Sequence, residues 1–205
     1  MLKGITPVRV GVTGGIGAGK STICHVLMNL NIPVYNADDR ARSLMNSEPE
    51  VIKQLKRSFS DSVYKDGQLD RDFLAKEVFH YDQRLKELND IVHPAVKEDF
   101  EKWAGRQNKE PIIVKEAALL FEAGTYRDLD QTILVYCPLE IRINRILLRD
   151  PFRTRTEIEK IIERQWSDQE KKKLADFIIT NDDIKPVMPQ VLEILDRIRG
   201  QGNRL

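Results

Sequence analysis

A glycine-rich segment near the start of the chain constrains its fold more than any other feature. Residues 14–21 read Gly-Gly-Ile-Gly-Ala-Gly-Lys-Ser and match the pattern G-x-x-x-x-G-K-[ST], in which a loop wraps around a phosphate group. The segment directly follows a β-branched run, Val8–Val12, and leads into apolar residues with helical spacing: Ile23, Val26, Leu27 and Leu30. A loop of this kind between a strand and a helix predicts an α/β protein that binds a nucleotide at the N-terminus of that helix.

Each position of this loop has an expected task. Glycine lacks a Cβ, so the backbone N–H groups of the loop can point inward and surround a β-phosphate. Lys20 is expected to reach the β- and γ-phosphates, and the Ser21 hydroxyl is expected to ligate Mg²⁺. The residues predicted to bind the nucleotide are Gly15, Gly17, Ala18, Gly19, Lys20, Ser21 and Thr22.

Five short apolar runs are typical of the strands of a parallel sheet. Their apolar residues are nearly continuous instead of alternating with polar ones, which indicates that helices cover both faces of the sheet. The sequence therefore predicts a three-layer α/β fold with a five-stranded parallel sheet, in a single domain over residues 1–205. The predicted strands are Val8–Val12, Ile32–Tyr35, Pro111–Lys115, Thr132–Tyr136 and Phe177–Thr180.

The chain between the second and third predicted strands is much longer than one crossover helix requires. We predict that residues 48–108 form a helical insertion on the α/β core. Its helical patterns cover Val51–Phe59, Arg71–Phe79, Gln83–Val92 and Pro94–Trp103. After the fourth strand, helices are predicted at Leu139–Leu148, Glu157–Gln165 and Ile184–Ile198.

Composition excludes several classes of function. Thirty-three basic and thirty-two acidic residues give a formal charge of +1, which argues against broad binding of nucleic acid. The chain starts without an apolar signal segment and contains no run of 18 apolar residues, so we expect a cytoplasmic protein that does not enter a membrane. Cys24 and Cys137 form no C-x-x-C pair and are predicted to be reduced core residues. No obligate protein partner is evident.

A carboxylate after the second predicted strand is the candidate for handling an acceptor hydroxyl. A kinase that phosphorylates a small molecule needs a base or an orienting carboxylate for that hydroxyl. Asp38 is placed for this task, because the carboxyl ends of parallel strands meet at the ligand crevice. Two alternatives stay open: Asp38 serves only as the N-cap of the following helix, or the neighbouring Asp39 takes the role.

Arginine is concentrated after the fourth strand, and three arginines lie on one helix face: Arg142, Arg145 and Arg149. Kinases exclude water from the γ-phosphate by closing a mobile lid, and lid arginines stabilise the transferring charge. Residues 149–166 are therefore predicted to form a lid, with Arg149 as its catalytic residue. The alternative is a solvated helix face whose arginines pair with Glu157, Glu159 and Glu163.

Taken together, these segments resemble the dephospho-CoA kinase family, and the resemblance covers roughly residues 8–182. It is carried by Gly11–Thr22, by Val34–Asp38 with Ala41-Arg42, by Asp66-Gly67 with Leu69–Arg71, by His93-Pro94, by Leu119–Glu122, by Arg145 with Arg149-Asp150, and by Gln165, Ala175-Asp176 and Asn181. The resemblance implies phosphate transfer from ATP, with Mg²⁺, to the ribose 3′-hydroxyl of dephospho-CoA. It further implies that the acceptor is bound by Arg42, Arg71, His93 and Glu122.

The chain departs from the family pattern at three positions. Asn36 stands where an aspartate is usual, Glu116 replaces an aspartate, and Ala118 replaces a proline. Asp38, whose family counterpart acts on the acceptor hydroxyl, is retained. Without the resemblance, the place of His93 between two predicted helices favours a role as a helix cap.

Two other functions are compatible with a phosphate loop. A kinase of the nucleoside-monophosphate type would share the loop and the lid and differ in the insertion. A nucleotide-dependent switch would hydrolyse slowly and bind a protein partner. A guanine-specific switch needs an N-K-x-D element, and Asn181-Asp182-Asp183 does not provide one.

Overall fold

The computed structural model describes residues 6–79 and 81–202. They form two compact units. Asn36–Arg106 is the helical unit, and the segments up to Tyr35 and from Gln107 onward form the nucleotide-side unit. The helical unit begins at Asn36, earlier than the predicted start of the insertion at residue 48.

The strands of the described residues match the predicted ones closely. β1 (Val8–Thr13), β2 (Val34–Asn36), β5 (Ile112–Glu116), β6 (Gln131–Tyr136) and β7 (Phe177–Thr180) form the main sheet, and β3 (Tyr64–Lys65) and β4 (Gln68–Leu69) form a small hairpin. The main sheet has the order β2-β5-β1-β6-β7, and β1 runs parallel to both β5 and β6. The predicted five-stranded parallel sheet is thereby confirmed.

Helices connect and cover these strands. They are α1 (Lys20–Asn29), α2 (Ala37–Ser47), α3 (Pro49–Phe59), α4 (Arg71–Phe79), α5 (Asp82–Ala104), α6 (Leu139–Arg149), α7 (Arg155–Glu163), α8 (Asp168–Leu174) and α9 (Val187–Gly202). Short 3₁₀ turns occur at Asp61–Val63 and Thr125–Asp128. None of the helices within the described ranges is both long and apolar enough to cross a membrane.

Both faces of the main sheet are covered. Alternate residues of β1, such as Val10 and Val12, pack in one cluster with Leu27 of α1 and Leu195 of α9. In β5, Ile112 and Val114 belong to the same cluster, and Ile113 between them, on the opposite face of the sheet, is also fully buried. Burial of consecutive strand residues explains why the strands read as continuous apolar runs, and it confirms the three-layer α/β architecture.

The helical unit has a core of its own. Its centre consists of side chains from α3, the turn that follows it, and α4: Val51, Leu55, Phe59, Val63 and Leu74. The hairpin of β3 and β4 closes through Asp66 and Gly67, which both have positive φ. An Asp-Gly pair suits a two-residue hairpin turn of this kind.

The prediction of two helices on either side of His93 is wrong, because α5 runs through Pro94 without a break. Proline lacks the N–H that would bond the carbonyl of Asp90, which weakens the helix at that point. The helix nevertheless continues, since a buried stripe with a spacing of four residues spans the proline: Val92, Val96, Phe100 and Ala104. Tertiary packing of this stripe outweighs the local preference. His93 therefore cannot be a helix cap.

Candidate active site

The glycine-rich loop connects β1 directly to α1. Gly17 and Gly19 have φ values of 78° and 92°, a region that other residues rarely adopt. Gly19 is the N-cap of α1 and has no side chain to offer the first N–H groups of the helix. A helix that starts in this way presents its N–H groups and the positive end of its dipole to an anion.

The side chain of Lys20 folds over the loop. Its Nζ donates a hydrogen bond to the Gly14 carbonyl oxygen at 3.1 Å and lies 4.0 Å from Oε1 of Glu116. Glu116 ends β5, pairs in register with Val12 and is only 5% exposed. The lysine ammonium is thus held at the mouth of the loop between a carbonyl and a buried carboxylate, where it can interact with phosphate oxygens.

Both cysteines are buried and reduced, as predicted. Burial and the Glu116 carboxylate raise the pKa of Cys24 to about 12, although Lys20 opposes this shift. Burial likewise raises the pKa of Cys137. Neither side chain is a thiolate at neutral pH, so neither is a nucleophile for the chemistry at the loop.

Three side chains from distant parts of the sequence hold the loop from outside. Gln165 Oε1 accepts a hydrogen bond from the Ile16 N–H at 2.9 Å. Asn181 Nδ2 donates to the Ala18 carbonyl oxygen at 2.8 Å. The guanidinium of Arg142 lies against Gly15, where an added Cβ would overlap it. The sequence identifies Gln165 and Asn181 only as parts of a family pattern, because hydrogen bonds between distant residues leave no local signal in one sequence.

Oxygen donors suitable for Mg²⁺ lie at the start of α1 and the end of β5. Ser21 is exposed in the first turn of α1, and the carboxylate of Glu116 lies beside Lys20. Within the described residues no three His, Cys, Asp or Glu side chains cluster closely enough to hold a metal alone. A hard cation at this position would therefore share a hydroxyl, a carboxylate and the phosphate oxygens of the nucleotide, a typical environment for Mg²⁺.

The N-cap of α2 is Asn36 and not Asp38. Oδ1 of Asn36 accepts a hydrogen bond from the Asp39 N–H at 2.9 Å. Asp38 occupies the first turn of α2, two residues beyond the end of β2, and is exposed. The interpretation of Asp38 as a mere helix cap is therefore wrong, and the unusual asparagine takes over that function.

Three of the residues predicted to bind the acceptor, Arg42, Arg71 and His93, lie on exposed helix surfaces of the helical unit. Arg42 is paired with Asp39, its neighbour one turn earlier on α2, at 2.7 Å. Arg71 is the first residue of α4, and His93 lies in the middle of α5. All three are exposed, so their binding of the acceptor stays a prediction.

A cavity of about 350 Å³ lies within the helical unit among α2, α3 and α5. Its lining includes five carboxylates and one lysine: Glu48, Glu50, Asp90, Glu98, Asp99 and Lys102. Asp99 is neutralised in part by Arg40, whose guanidinium makes two hydrogen bonds to it. A lining this acidic is a poor match for phosphate groups, so the cavity is not assigned to them.

The arginines after β6 take different partners. Arg142 pairs with Asp168, Arg145 with Asp183, Arg153 with Asp150, and Arg155 with Glu140 and Glu159. Of the three glutamates expected as partners, Glu159 pairs with Arg155, while Glu157 forms a capping box with Thr154 at the start of α7. Arg149 is exposed at the end of α6, and no ion pair joins it to the described part of the chain.

Glu122 has partners inside the nucleotide-side unit. Its Oε1 lies 2.8 Å from Nζ of Lys171, which is fully buried, and accepts a hydrogen bond from the Trp166 N–H at 3.0 Å. Glu122 Oε2 is buried without a hydrogen bond from the described residues. These contacts account for a buried carboxylate at this position, and its predicted contact with the acceptor stays a prediction.

Similar proteins are found along nearly the whole chain. A sequence profile described as dephospho-CoA kinase matches residues 8–186. A dephospho-CoA kinase of Bacteroides fragilis (strain YCH46) is 36% identical over 191 residues, which cover 92% of this chain and 91% of that protein. A Thermus thermophilus crystal structure has a TM-score of 0.81 at 32% identity, covering 95% of this chain and 97% of the other. For a dephospho-CoA kinase from Campylobacter jejuni, the TM-score is 0.64 at 26% identity, with the same coverage.

These similarities reach well beyond the phosphate loop. Many nucleotide-binding proteins share such a loop, and they differ in the segments that surround it. Here the matched residues include the helical unit, the arginines after β6 and the Asn181 that holds the loop. The chain belongs to the dephospho-CoA kinase family.

Proposed function

We propose that this protein transfers the γ-phosphoryl group of ATP to the ribose 3′-hydroxyl of dephospho-CoA and thereby makes coenzyme A and ADP. The observation that carries the proposal is the phosphate loop, closed over by Lys20, in a chain of the dephospho-CoA kinase family. The acceptor oxygen forms a bond to the γ-phosphorus while the bond from that phosphorus to the bridging oxygen of ADP breaks. The proton of the hydroxyl goes to a carboxylate of the protein.

The loop and Lys20 handle the phosphates in this proposal. The loop N–H groups and the N-terminus of α1 bind the β-phosphate, and the ammonium of Lys20 stabilises negative charge on the transferring group. The hydrogen bond from Lys20 to the Gly14 carbonyl keeps the ammonium close to the loop before the nucleotide binds. Preorganised charge of this kind lowers the barrier because it needs no rearrangement in the transition state.

Ser21 and Glu116 would hold Mg²⁺, Ser21 through its hydroxyl and Glu116 through an intervening water. Bound there, the ion would neutralise charge on the β- and γ-phosphate oxygens. Glu116 is one methylene longer than the usual aspartate, and its position 4.0 Å from Lys20 also keeps the lysine aligned.

Asp38 is the group proposed to accept or orient the proton of the 3′-hydroxyl. It follows the carboxyl end of β2 and is exposed to a ligand, and its helix is already capped by Asn36. A carboxylate that is not needed for the local fold is available for proton transfer. Arg42, Arg71, His93 and Glu122 are proposed to bind the acceptor, with Arg71 on its phosphates, and Arg149 is proposed to close the lid, residues 149–166, over the γ-phosphate.

The proposal places the reaction in the cytoplasm and invokes no nucleic acid, membrane or obligate protein partner. It is tested by measuring ADP release from MgATP with and without dephospho-CoA. We expect dephospho-CoA to raise turnover by orders of magnitude above the hydrolysis background, because acceptor binding closes the site against water. The same assay with AMP, shikimate and uridine tests the alternative acceptors. Strong stimulation by one of these, without stimulation by dephospho-CoA, would show that the acceptor is wrong.

A further inference from the structure

A buried arginine lies directly behind the phosphate loop, and the loop pattern does not explain it. We propose that Arg142 is a positioning residue for nucleotide binding, whose guanidinium supports the outer side of the loop and strengthens its hold on the β-phosphate. The inference rests on the proposed function only in requiring that the loop binds a nucleotide polyphosphate. It does not depend on which acceptor receives the phosphoryl group.

Arg142 contacts the loop with both its side chain and its main chain. A Cβ at Gly15 would overlap the guanidinium, and a Cβ at Gly17 would meet the backbone of Arg142. Gly15 is not among the glycines with positive φ, so the backbone conformation alone does not require glycine there. A side chain at Gly15 would have to displace this buried guanidinium.

The charge of Arg142 is only partly compensated by the protein. An arginine keeps its proton at any physiological pH, and removing it from water is costly unless anionic partners surround it. The side chain of Arg142 is 5% exposed, and its Nη1 lies 3.3 Å from Oδ1 of Asp168. Its Nε is buried, and no acceptor from the described residues bonds to it. A phosphate in the adjacent loop supplies the negative charge that this cation lacks.

The same outer wall contains the hydrogen bond from the Ile16 N–H to Gln165, which lies between the two points where Arg142 contacts the loop. Gln165 belongs to the connection from α7 to α8, Asp168 is the first residue of α8, and Arg142 belongs to α6. These groups contact the loop at residues 15–17, whereas Lys20 is the group assigned to the γ-phosphate, so their effect is expected on the affinity for the β-phosphate. We therefore expect changes in nucleotide binding and little change in kcat at saturating ATP.

Calorimetric titration with ADP and with AMP tests this inference. Arg142→Met keeps an unbranched apolar side chain in place of the first part of the arginine and removes the charged guanidinium. We expect the Kd for ADP to rise about tenfold and the Kd for AMP, which lacks a β-phosphate, to stay within about twofold. Arg197→Met is the matched control, because Arg197 is an exposed arginine of α9 that pairs only loosely with Glu193 at 3.9 Å. It should bind both nucleotides like the unmodified protein.

A second variant separates positioning from simple structural support. Asp168→Asn keeps the guanidinium and removes the carboxylate that competes with phosphate for it, so ADP should bind severalfold more tightly. If Arg142 only braced the loop, Asp168→Asn should weaken ADP binding instead, because loosening the ion pair of Arg142 and Asp168 would loosen the loop. If Arg142→Met fails to fold, the sign of the Asp168→Asn effect decides alone. Weaker ADP binding in Asp168→Asn, or normal ADP binding in folded Arg142→Met, would overturn the inference.

Failure of this inference and failure of the proposed function are distinguishable. Normal ADP binding by Arg142→Met, together with turnover that depends on dephospho-CoA, would refute the role proposed for Arg142 and leave the proposed function intact. A selective loss of ADP affinity in an enzyme that ignores dephospho-CoA would preserve that role and refute the acceptor.

Discussion

The nucleotide-side unit and the helical unit prepare their functional groups in different ways. In the nucleotide-side unit, the loop is held by a hydrogen bond that Gln165 accepts, by one that Asn181 donates, and by contact with the buried Arg142. In the helical unit, the groups assigned to the acceptor, such as Asp38 and His93, are exposed on helix surfaces and lie outside the buried core of the unit.

The difference follows from what each unit is proposed to recognise. Phosphate is bound mainly by backbone N–H groups, so the chain must hold a backbone conformation, and many residues are committed to that task. An acceptor bound by side chains needs only a few groups at the right places on a surface. The structural contacts therefore support the proposed phosphate site, whereas mutations must test the proposed acceptor site.

The largest effect is expected at the phosphate loop, whose conformation is held by many residues. Lys20→Ala removes the ammonium that acts on the transition state, where one such contact is worth roughly 10² to 10⁴ in rate. ADP release in the presence of dephospho-CoA should nearly vanish, while the melting temperature changes little. Lys53→Ala removes an exposed lysine of α3 and is the control. Unchanged kcat in folded Lys20→Ala would refute the assignment of the loop.

On the side of the helical unit, two adjacent aspartates should behave differently. Asp38→Asn removes the proposed proton acceptor, and kcat should fall by about 10²-fold or more. Asp39→Asn removes the exposed partner of Arg42, an ion pair worth at most about 1 kcal/mol, and should have little effect on kcat. Steady-state kinetics of the two variants make the comparison. Equal losses in kcat, or a larger loss for Asp39→Asn, would show that the assignment of the base to Asp38 is wrong.

A lid residue should act on catalysis without contributing to the fold. If Arg149 contacts phosphate only when the lid closes, Arg149→Ala should lower kcat and kcat/KM together by about 10- to 100-fold, with ATP affinity little changed. Arg149→Lys should restore little, because a point charge cannot reproduce the two-pronged contact of a guanidinium. Arg197→Ala is the control on α9. Normal kinetics with a small shift in melting temperature would mean that Arg149 is only a solvated surface residue. The residue that closes the lid would then be sought among Arg145, Arg153 and Arg155.

The smallest effect concerns the fold of the helical unit alone. Asn36→Ala removes the N-cap of α2 and should lower the free energy of unfolding by about 1 kcal/mol. Asn36→Asp keeps an accepting oxygen and should be close to neutral. Urea unfolding of both variants tests the expectation. Equal destabilisation by the two substitutions would mean that the side-chain hydrogen bond to the Asp39 N–H is not what stabilises the helix start.

Much of the fold was predictable from the sequence because its signals are local. The apolar run Phe177–Thr180 coincides with β7, and Arg71–Phe79 coincides with α4. α5 was predicted as two helices, since the cost of Pro94 is local while the packing that overcomes it involves distant residues. α8 was not predicted because it has no apolar stripe. Its capping box, Ser167 with Glu170, was the signal that could have revealed it.

The candidate site was predictable to the extent that a motif encodes it. The motif spacing alone identifies Lys20 and the loop glycines. The backbone geometry of the loop requires the glycines, and the lysine follows them directly in the motif. The supporting contacts of Arg142 join residues from α6 and α8, and only the folded chain brings them together. The cap at Asn36 was likewise hidden, since asparagine and aspartate are equally good caps and the register of β2 was needed to choose between them.

The ion pair of Glu122 and Lys171 limits how this protein can evolve. Replacing either residue alone leaves a charge buried without its partner, which typically costs about 3–5 kcal/mol, a large share of the stability of an ordinary domain. Two apolar residues of similar volume could occupy the same space at little or no cost to stability, although they would remove the carboxylate proposed to contact the acceptor, and each single-substitution intermediate carries one unpaired buried charge. Single substitutions are therefore unfavourable at both Glu122 and Lys171, although these residues lie far apart in the sequence. Related proteins that have lost one member of the pair should have lost the other as well.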